Sequence, residues 1–311
     1  MWTHVPPSPC RRFRQSRVLL IGCGDVGLRV ARSLLPRVRV LALTSSPERV
    51  PALRALGVMP LQGNLDDPTS LARLAGLAPT VLHLAPPPPQ GPRDTRTAHL
   101  QVALARRGRV QRLVYGSTTG VYGDAGGARF DETRPVAPAT DRARRRVDAE
   151  RVLRRWGRRL PWGCGPRVTV LRIPGIYAFD REGGDPRDRL RRGAPLLQAQ
   201  DDVYTNHIHA DDLARACALA VWRGPVQRVL HVSDGTDTLM GDHFDRVADL
   251  AGWPRLARLS RAEAFARLTP MQQSFMSESR RLANERVLRE LRLQLRYPTI
   301  EAAWRAGPGA P

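Results

Sequence analysis

Gly22, Gly24 and Gly27 stand in G-x-G-x-x-G spacing directly after the apolar run Val18-Leu19-Leu20-Ile21. Each glycine has a mechanical reason. Gly22 permits a tight turn out of a strand, Gly24 lets backbone approach a pyrophosphate, and Gly27 lets the next helix pack close to the strand. That helix would point its N-terminus at the anion. The motif alone is weak. A strand before it, and Val26, Val30, Ala31, Leu34 and Leu35 at helical spacing after it, make it specific. The stretch Gly22, Cys23, Gly24, Asp25, Val26 and Gly27 is therefore the candidate dinucleotide phosphate loop. The competing reading is a glycine-rich turn that packs tightly and binds nothing.

A dinucleotide site that takes NAD usually has Asp or Glu at the end of the second strand, where it bonds the ribose 2′-hydroxyl. That position is Thr44, followed by Ser45, Ser46 and then Arg49. Small hydroxyls and an arginine suit a 2′-phosphate, so the sequence favours NADP over NAD. Ser45 and Ser46 also suit a helix cap. His207 and His209 stand at i, i+2, but Asp211-Asp212 beside them fits a helix N-terminus better than a metal site, and no metal is expected.

Strand and helix signals alternate around these residues. Strands are expected at Val18–Ile21, Val38–Leu43, Val58–Leu61, Thr80–Leu84, Arg112–Tyr115, Val168–Ile173 and Val229–Val232. Helices are expected after Ser46-Pro47-Glu48, from Pro68, over Thr95–Arg107, from Thr140 through Leu153, and after His209. Such alternation predicts an α/β fold, a Rossmann-type doubly wound parallel sheet with ligands beyond the carboxyl ends of its strands. The four prolines Pro86–Pro89 give a stiff loop at that edge. A smaller, mostly helical C-terminal substrate lobe completes the expected fold. The divisions are a disordered tail over 1–16, a Rossmann domain over 17–176, a substrate-lobe insertion over 177–203, a return to the sheet over 204–234, and the C-terminal lobe over 235–311.

The chain has 311 residues, and no apolar run nears the roughly 20 that a membrane span needs. Its cysteines, Cys10, Cys23, Cys164 and Cys217, show no C-x-x-C spacing, which suits a reducing cytoplasm. Cys23 reads as a small buried filler, or as a redox-sensitive thiol able to block the loop. The net charge is +21, and all 50 basic residues are arginine. Total loss of lysine points to compositional drift, while the field it leaves favours acidic partners such as nucleotides. The run Arg142–Arg159 lacks interleaved aromatics beyond Trp156, so it reads as a solvated helix face rather than a nucleic-acid patch.

From about Arg17 to Trp304 the chain resembles the extended short-chain dehydrogenase/reductases, the NAD-dependent epimerase and dehydratase family. Four pieces carry the resemblance besides the glycine loop: Ser117-Thr118-Thr119-Gly120-Val121-Tyr122-Gly123, Leu171-Arg172-Ile173-Pro174-Gly175-Ile176-Tyr177, Ile208-His209-Ala210-Asp211-Asp212-Leu213-Ala214, and Ser279-Arg280-Arg281 through Arg296-Tyr297-Pro298-Thr299. The resemblance implies cofactor contacts at Asn64, Leu65, Ala85, Pro86, Ser117 and Pro174. It implies that Thr118 is the catalytic Ser/Thr that meets a substrate carbonyl or hydroxyl. The family's Tyr-x-x-x-Lys pair falls on Thr140 and Arg144, so the phenol and the amine are both missing. A phenol beside a cation can pass a proton near neutrality, whereas a threonine hydroxyl cannot. Arg144 could still hold ribose hydroxyls. Thr140 also suits a helix cap. These departures, with the shorter glycine spacing, resemble an atypical subgroup.

Tyr122, Tyr177 and His83 are then the other conceivable proton donors, each with a packing role as the competing reading. The expected function is an NAD(P)-dependent oxidoreductase or epimerase-like enzyme on a small, perhaps anionic or nucleotide-linked, carbonyl or sugar substrate. Arg181, Arg187 and Arg189 are candidates to meet that anion. The alternative is a catalytically silent NADP-binding sensor or scaffold, and nucleic-acid binding is a remote third. A homodimer is the candidate assembly, with no membrane partner.

Overall fold

The computed structural model describes residues 16–158 and 165–307. The expected tail over residues 1–16 falls outside them but for Ser16, and Cys10 and Cys164 also lie outside. Seven strands form one parallel sheet: β1 (Arg17–Ile21), β2 (Arg39–Thr44), β3 (Met59–Gln62), β4 (Thr80–His83), β5 (Arg112–Thr118), β6 (Arg167–Ile173) and β7 (Arg228–His231), in spatial order β7-β6-β5-β4-β1-β2-β3. The order reverses at β1 and β4, where Leu19 lies between Leu41 and Val81. Such a switch point opens a crevice beyond the carboxyl ends.

The sheet is buried on both faces, which is why its strands read as continuous apolar runs. Helices α1 (Asp25–Leu34), α2 (Val50–Ala55) and α5 (Ala210–Arg223) share one core with it, in which Leu20, Val40 and Val114 meet Val30, Leu34, Leu53, Leu213 and Cys217. Helices α3 (Thr95–Ala105) and α4 (Asp141–Gly157) cover the other face, where Leu19, Ile21, Leu113 and Tyr115 meet Leu100, Leu104, Leu153 and Trp156. Beyond the sheet, Leu196–Leu197 pairs in parallel with Arg258–Leu259. Around that pair, Ala194, Val203, Met240, Leu268 and Met276 form a separate apolar cluster.

Two element boundaries differ from the sequence reading. Strand β5 continues three residues past Tyr115, because Gly116, Ser117 and Thr118 find ladder partners in Leu171, Arg172 and Ile173. Pairing there overrides the weak strand preference of glycine and serine. After Pro68 the chain makes a 3-10 helix over Pro68–Leu74, capped by Asp67 accepting from the Thr69 amide.

Candidate active site

The loop after β1 shows what each glycine is for. Gly22 has φ +91°, and a Cβ there would overlap the backbone amide of Ala85 after β4. A Cβ on Gly27 would come within 2.6 Å of the Gly22 carbonyl oxygen. Gly24 is different: a Cβ on it meets nothing within 4 Å. The first two glycines are therefore fixed by close packing, and the third faces open space. Gly24 is also the N-cap of α1 and caps it with no side chain, leaving first-turn amides for an anion. These residues fit a dinucleotide pyrophosphate.

Asp25 and Val26 begin α1, and Asp25 pairs with Arg29 at 3.1 Å and with Arg181 at 3.2 Å. The Cys23 side chain is buried, and burial pushes its thiol pKa up, partly offset by Arg49. That favours the filler over a reactive thiol. At the end of β2, Thr44 Oγ1 accepts from the Ser46 amide at 3.2 Å, and Ser45 is exposed. Arg49 reaches back and donates from Nη2 to the Cys23 carbonyl at 2.5 Å. After β3, Asn64 Oδ1 accepts from the Asp66 amide, and the Leu65 carbonyl lies 2.9 Å from His99 Nδ1. After β4, the Ala85 amide donates to the Ile21 carbonyl at 3.0 Å. Pro86 is exposed, and its carbonyl and that of Pro87 each lie 3.4 Å from Arg96 Nη1. Pro174 follows directly on β6. The strand ends thus bring Gly22–Gly27, Thr44, Asn64, Ala85, Thr118 and Pro174 to one edge of the sheet.

Thr118 ends β5, and its Oγ1 accepts from the Gly120 amide at 3.2 Å, so the hydroxyl proton is free to be donated outward. Ser117 points to the other side of its strand. Its Oγ donates to Glu150 Oε1 at 2.6 Å inside the protein, so its side chain is not turned to a cofactor.

Four sequence-derived candidates are occupied elsewhere. Tyr122 is 1% exposed; its hydroxyl receives a hydrogen bond from Arg172 Nη1 and lies against His231 Nε2, both at 2.6 Å. Burial pushes its pKa up to about 12. His83 is buried with Nε2 2.9 Å from Thr97 Oγ1, and burial pushes its pKa down to about 3. Thr140 caps α4, accepting from the Ala143 amide at 3.2 Å. Arg144 is exposed and pairs with Asp141 at 2.6 Å. Tyr122 and His83 are thus held in the interior, Thr140 serves as a helix cap, and Arg144 lies on the helix surface. Tyr177 is buried against the edges of His207 and His209, its hydroxyl has no partner among the described residues, and burial raises its pKa.

The face of α4 turned to the strand ends carries a different pair at the same spacing. Arg146 Nη1 donates to the Gly116 carbonyl at 2.9 Å, to Tyr115 Oη at 3.0 Å and to the Ala85 carbonyl at 3.4 Å. Arg142 lies one turn earlier. Its side chain is exposed at the surface, and partial desolvation by the surrounding protein, then repulsion from Arg146 and Arg145, lower its pKa. The sequence reading singled out neither Arg142 nor Arg146 as a site residue. The available signal was helical phase: Ala143, Val147 and Glu150 are buried on α4 and set which positions flank them. The arginines expected to meet an anion are also engaged. Arg181 pairs with Asp25, Arg187 pairs with Asp185 at 2.7 Å, and Arg189 donates to the Pro195 carbonyl at 2.5 Å. His207 stacks on His243 with ring centroids 4.0 Å apart. Among the described residues no group of three or more His, Cys, Asp or Glu is placed to hold a metal, and no helix is long and apolar enough to cross a membrane.

Comparison with known proteins agrees with this geometry. Residues 22–223 match the family model described as NAD(P)H-binding. A conserved protein of unknown function from Silicibacter pomeroyi DSS is 28% identical, covers 94% of this chain and 97% of its own, and superposes with a TM-score of 0.76. MoeE5, solved with UDP-glucose and NAD, is 21% identical over 93% of this chain and 98% of its own, with a TM-score of 0.72. A double mutant of DesIV, a dTDP-glucose 4,6-dehydratase from Streptomyces venezuelae solved with NAD bound, is 20% identical over 94% and 97%, with a TM-score of 0.72. The last two likenesses show the shared fold. No curated protein matches the sequence.

Proposed function

The chain belongs to the NAD(P)H-binding family, and from that premise we propose that it is an NADP(H)-dependent oxidoreductase or epimerase-like enzyme acting on a small carbonyl or sugar substrate. The observation that carries this reading is the convergence of Thr118, Arg146 and the open side of Gly24 on one edge of the sheet. Gly22–Gly27 would hold the pyrophosphate, Thr44, Ser45 and Arg49 the adenosine ribose and its 2′-phosphate, and Asn64 and Leu65 the adenine side. Ala85 and Pro86 would line the path to the reacting end. The bound nicotinamide supplies or accepts a hydride.

Thr118 then orients the substrate oxygen by donating its free hydroxyl proton. Tyr122 is not poised to pass a proton, since it is locked in the interior and burial pushes its pKa up to about 12. Arg142 and Arg146 act differently from a phenol and an amine. A guanidinium keeps its proton, so the pair can hold negative charge but cannot relay a proton, which water would exchange instead. Loss of a general acid typically costs roughly 10²–10⁴-fold in rate, so slow turnover is expected.

Fluorescence titration with NADPH and NADH, followed by a screen of aldehydes, ketones and nucleotide sugars for NADPH oxidation, tests the reading. Tighter binding of NADPH together with turnover supports it. Binding without turnover on any class leaves a cofactor-binding sensor, and failure of both cofactors to bind overturns the assignment altogether.

A further inference from the structure

Arg142 and Arg146 are i, i+4 neighbours on α4, beside the carboxyl ends of β4 and β5. Arg146 is fixed by three acceptors, all taken by Nη1. Its Nη2 and Nε have no partner among the described residues and are not among the buried orphaned atoms, so they remain accessible. Arg142 is solvent-accessible and has no hydrogen bond or ion pair among the described residues. Asp94 and Arg146 attract each other without touching, and the two Asp94 oxygens already accept from the Thr97 amide and hydroxyl, each at 2.9 Å. Several other arginines at this edge are neutralised: Arg29 meets three aspartates, Arg96 meets Asp66, Arg181 meets Asp25 and Arg144 meets Asp141. A guanidinium pair with no ion-pair partner among the described residues, one member locked in place by backbone and phenol oxygens, is preorganised for an oxyanion.

We propose that Arg142 and Arg146 form the seat for an oxyanion group, a carboxylate or a phosphate, on the substrate itself. The inference rests on the oxidoreductase reading above and narrows it to carbonyl or hydroxyl compounds bearing an anionic group near the reacting carbon. Arg146 supplies its free Nη2 and Nε donors, and Arg142 closes from the helix side. Thr118, at the end of the adjacent strand, takes the neutral oxygen. This division lets one substrate be anchored by charge and oriented by a hydroxyl.

Isothermal calorimetry on the full chain saturated with NADP+ would titrate oxalate and inorganic phosphate separately, with oxamide as the uncharged counterpart of oxalate. One or both anions should bind and oxamide should not; the preferred anion distinguishes carboxylate from phosphate substrates. R142A should weaken the bound anion by at least about 10-fold, while NADP+ affinity stays within about twofold. R144A, two residues away and already paired with Asp141, and R151A on the same helix should change neither. R146K, which keeps the charge but not the fork, should weaken the anion with a thermal midpoint near that of the parent. Binding of neither anion, or equal loss in R142A, R144A and R151A, overturns the seat. If NADP+ itself fails to bind, the oxidoreductase reading falls, and the same titrations on the cofactor-free chain decide the seat alone.

Discussion

Arg49 and Cys23 are joined by a hydrogen bond of 2.5 Å from Nη2 to the carbonyl, tying the turn after β2 to the middle of the glycine loop. The same guanidinium that would meet a 2′-phosphate therefore also braces the loop that would hold the pyrophosphate. Arg49→Ala should weaken NADPH binding by about 10-fold or more through the lost charge-assisted contact, and NADH binding far less. Thr44→Asp with Arg49→Ala should reverse the preference. Competitive titration of the two cofactors reads both results; a parent that binds NADH as tightly as NADPH would sink the argument.

Gly22 and Gly24 should respond in opposite ways. Gly22→Ala forces a side chain into φ +91° and onto the Ala85 backbone. A loss of about 2–5 kcal/mol in unfolding free energy is expected. Gly24→Val places its side chain in open space, so the fold should tolerate it while NADPH binding disappears. Chemical denaturation and fluorescence titration of both variants separate the structural glycine from the one beside the ligand. Retained NADPH affinity in Gly24→Val would place the pyrophosphate elsewhere.

The glycine loop was legible because its spacing sits between an apolar strand run and a helical apolar period, and the strands were legible because burial on both faces leaves nearly unbroken apolar runs. The end of β5 was not legible, since Gly116, Ser117 and Thr118 join the ladder only through partners more than 50 residues away in β6. The partners of Tyr122 were hidden for a similar reason. Its local sequence suits a strand-end proton donor, but its partners are Arg172 and His231, distant in the chain and adjacent in space. Arg142 and Arg146 were hidden among Arg144 and Arg145, because which of these arginines faces the strand ends depends on how α4 packs and not on its local sequence.

Tyr122 belongs to a buried chain in which Ser117 and Arg172 converge on Glu150, and Arg172 and His231 converge on the phenol oxygen. Arg172 and Glu150 pair at 2.7 Å with side chains 4% and 5% exposed. Removing the phenol oxygen strands one guanidinium N–H and one ring nitrogen without water. Tyr122→Phe should therefore cost about 1–3 kcal/mol of stability. NADPH affinity should not change, because the network lies away from the glycine loop. A variant as stable as the parent but unable to turn over substrate would return Tyr122 to the reaction.

Asp234 follows β7, and its carboxylate accepts from the Thr236 amide at 3.0 Å and hydroxyl at 2.8 Å. Burial, reinforced by Asp212 and opposed by the Thr236 hydrogen bonds, raises its pKa from 3.8 to about 7. Between these values the folded state holds a proton that the unfolded state has released. Its contribution to stability is therefore fully present below the lower value and falls as pH rises toward 7. Above 7 the folded protein carries a buried charge costing about 4 kcal/mol. Asn at this position keeps both acceptor bonds and removes the charge. The unfolding free energy of Asp234→Asn, relative to the parent, should grow from pH 4 to pH 7 and then level off. Buried His231 and His243, whose pKa values fall to about 4, give the opposite slope in both proteins and cancel in the difference. Urea denaturation at intervals of half a pH unit measures the difference directly; a flat difference curve would show that the Asp234 carboxylate is ionised throughout the range.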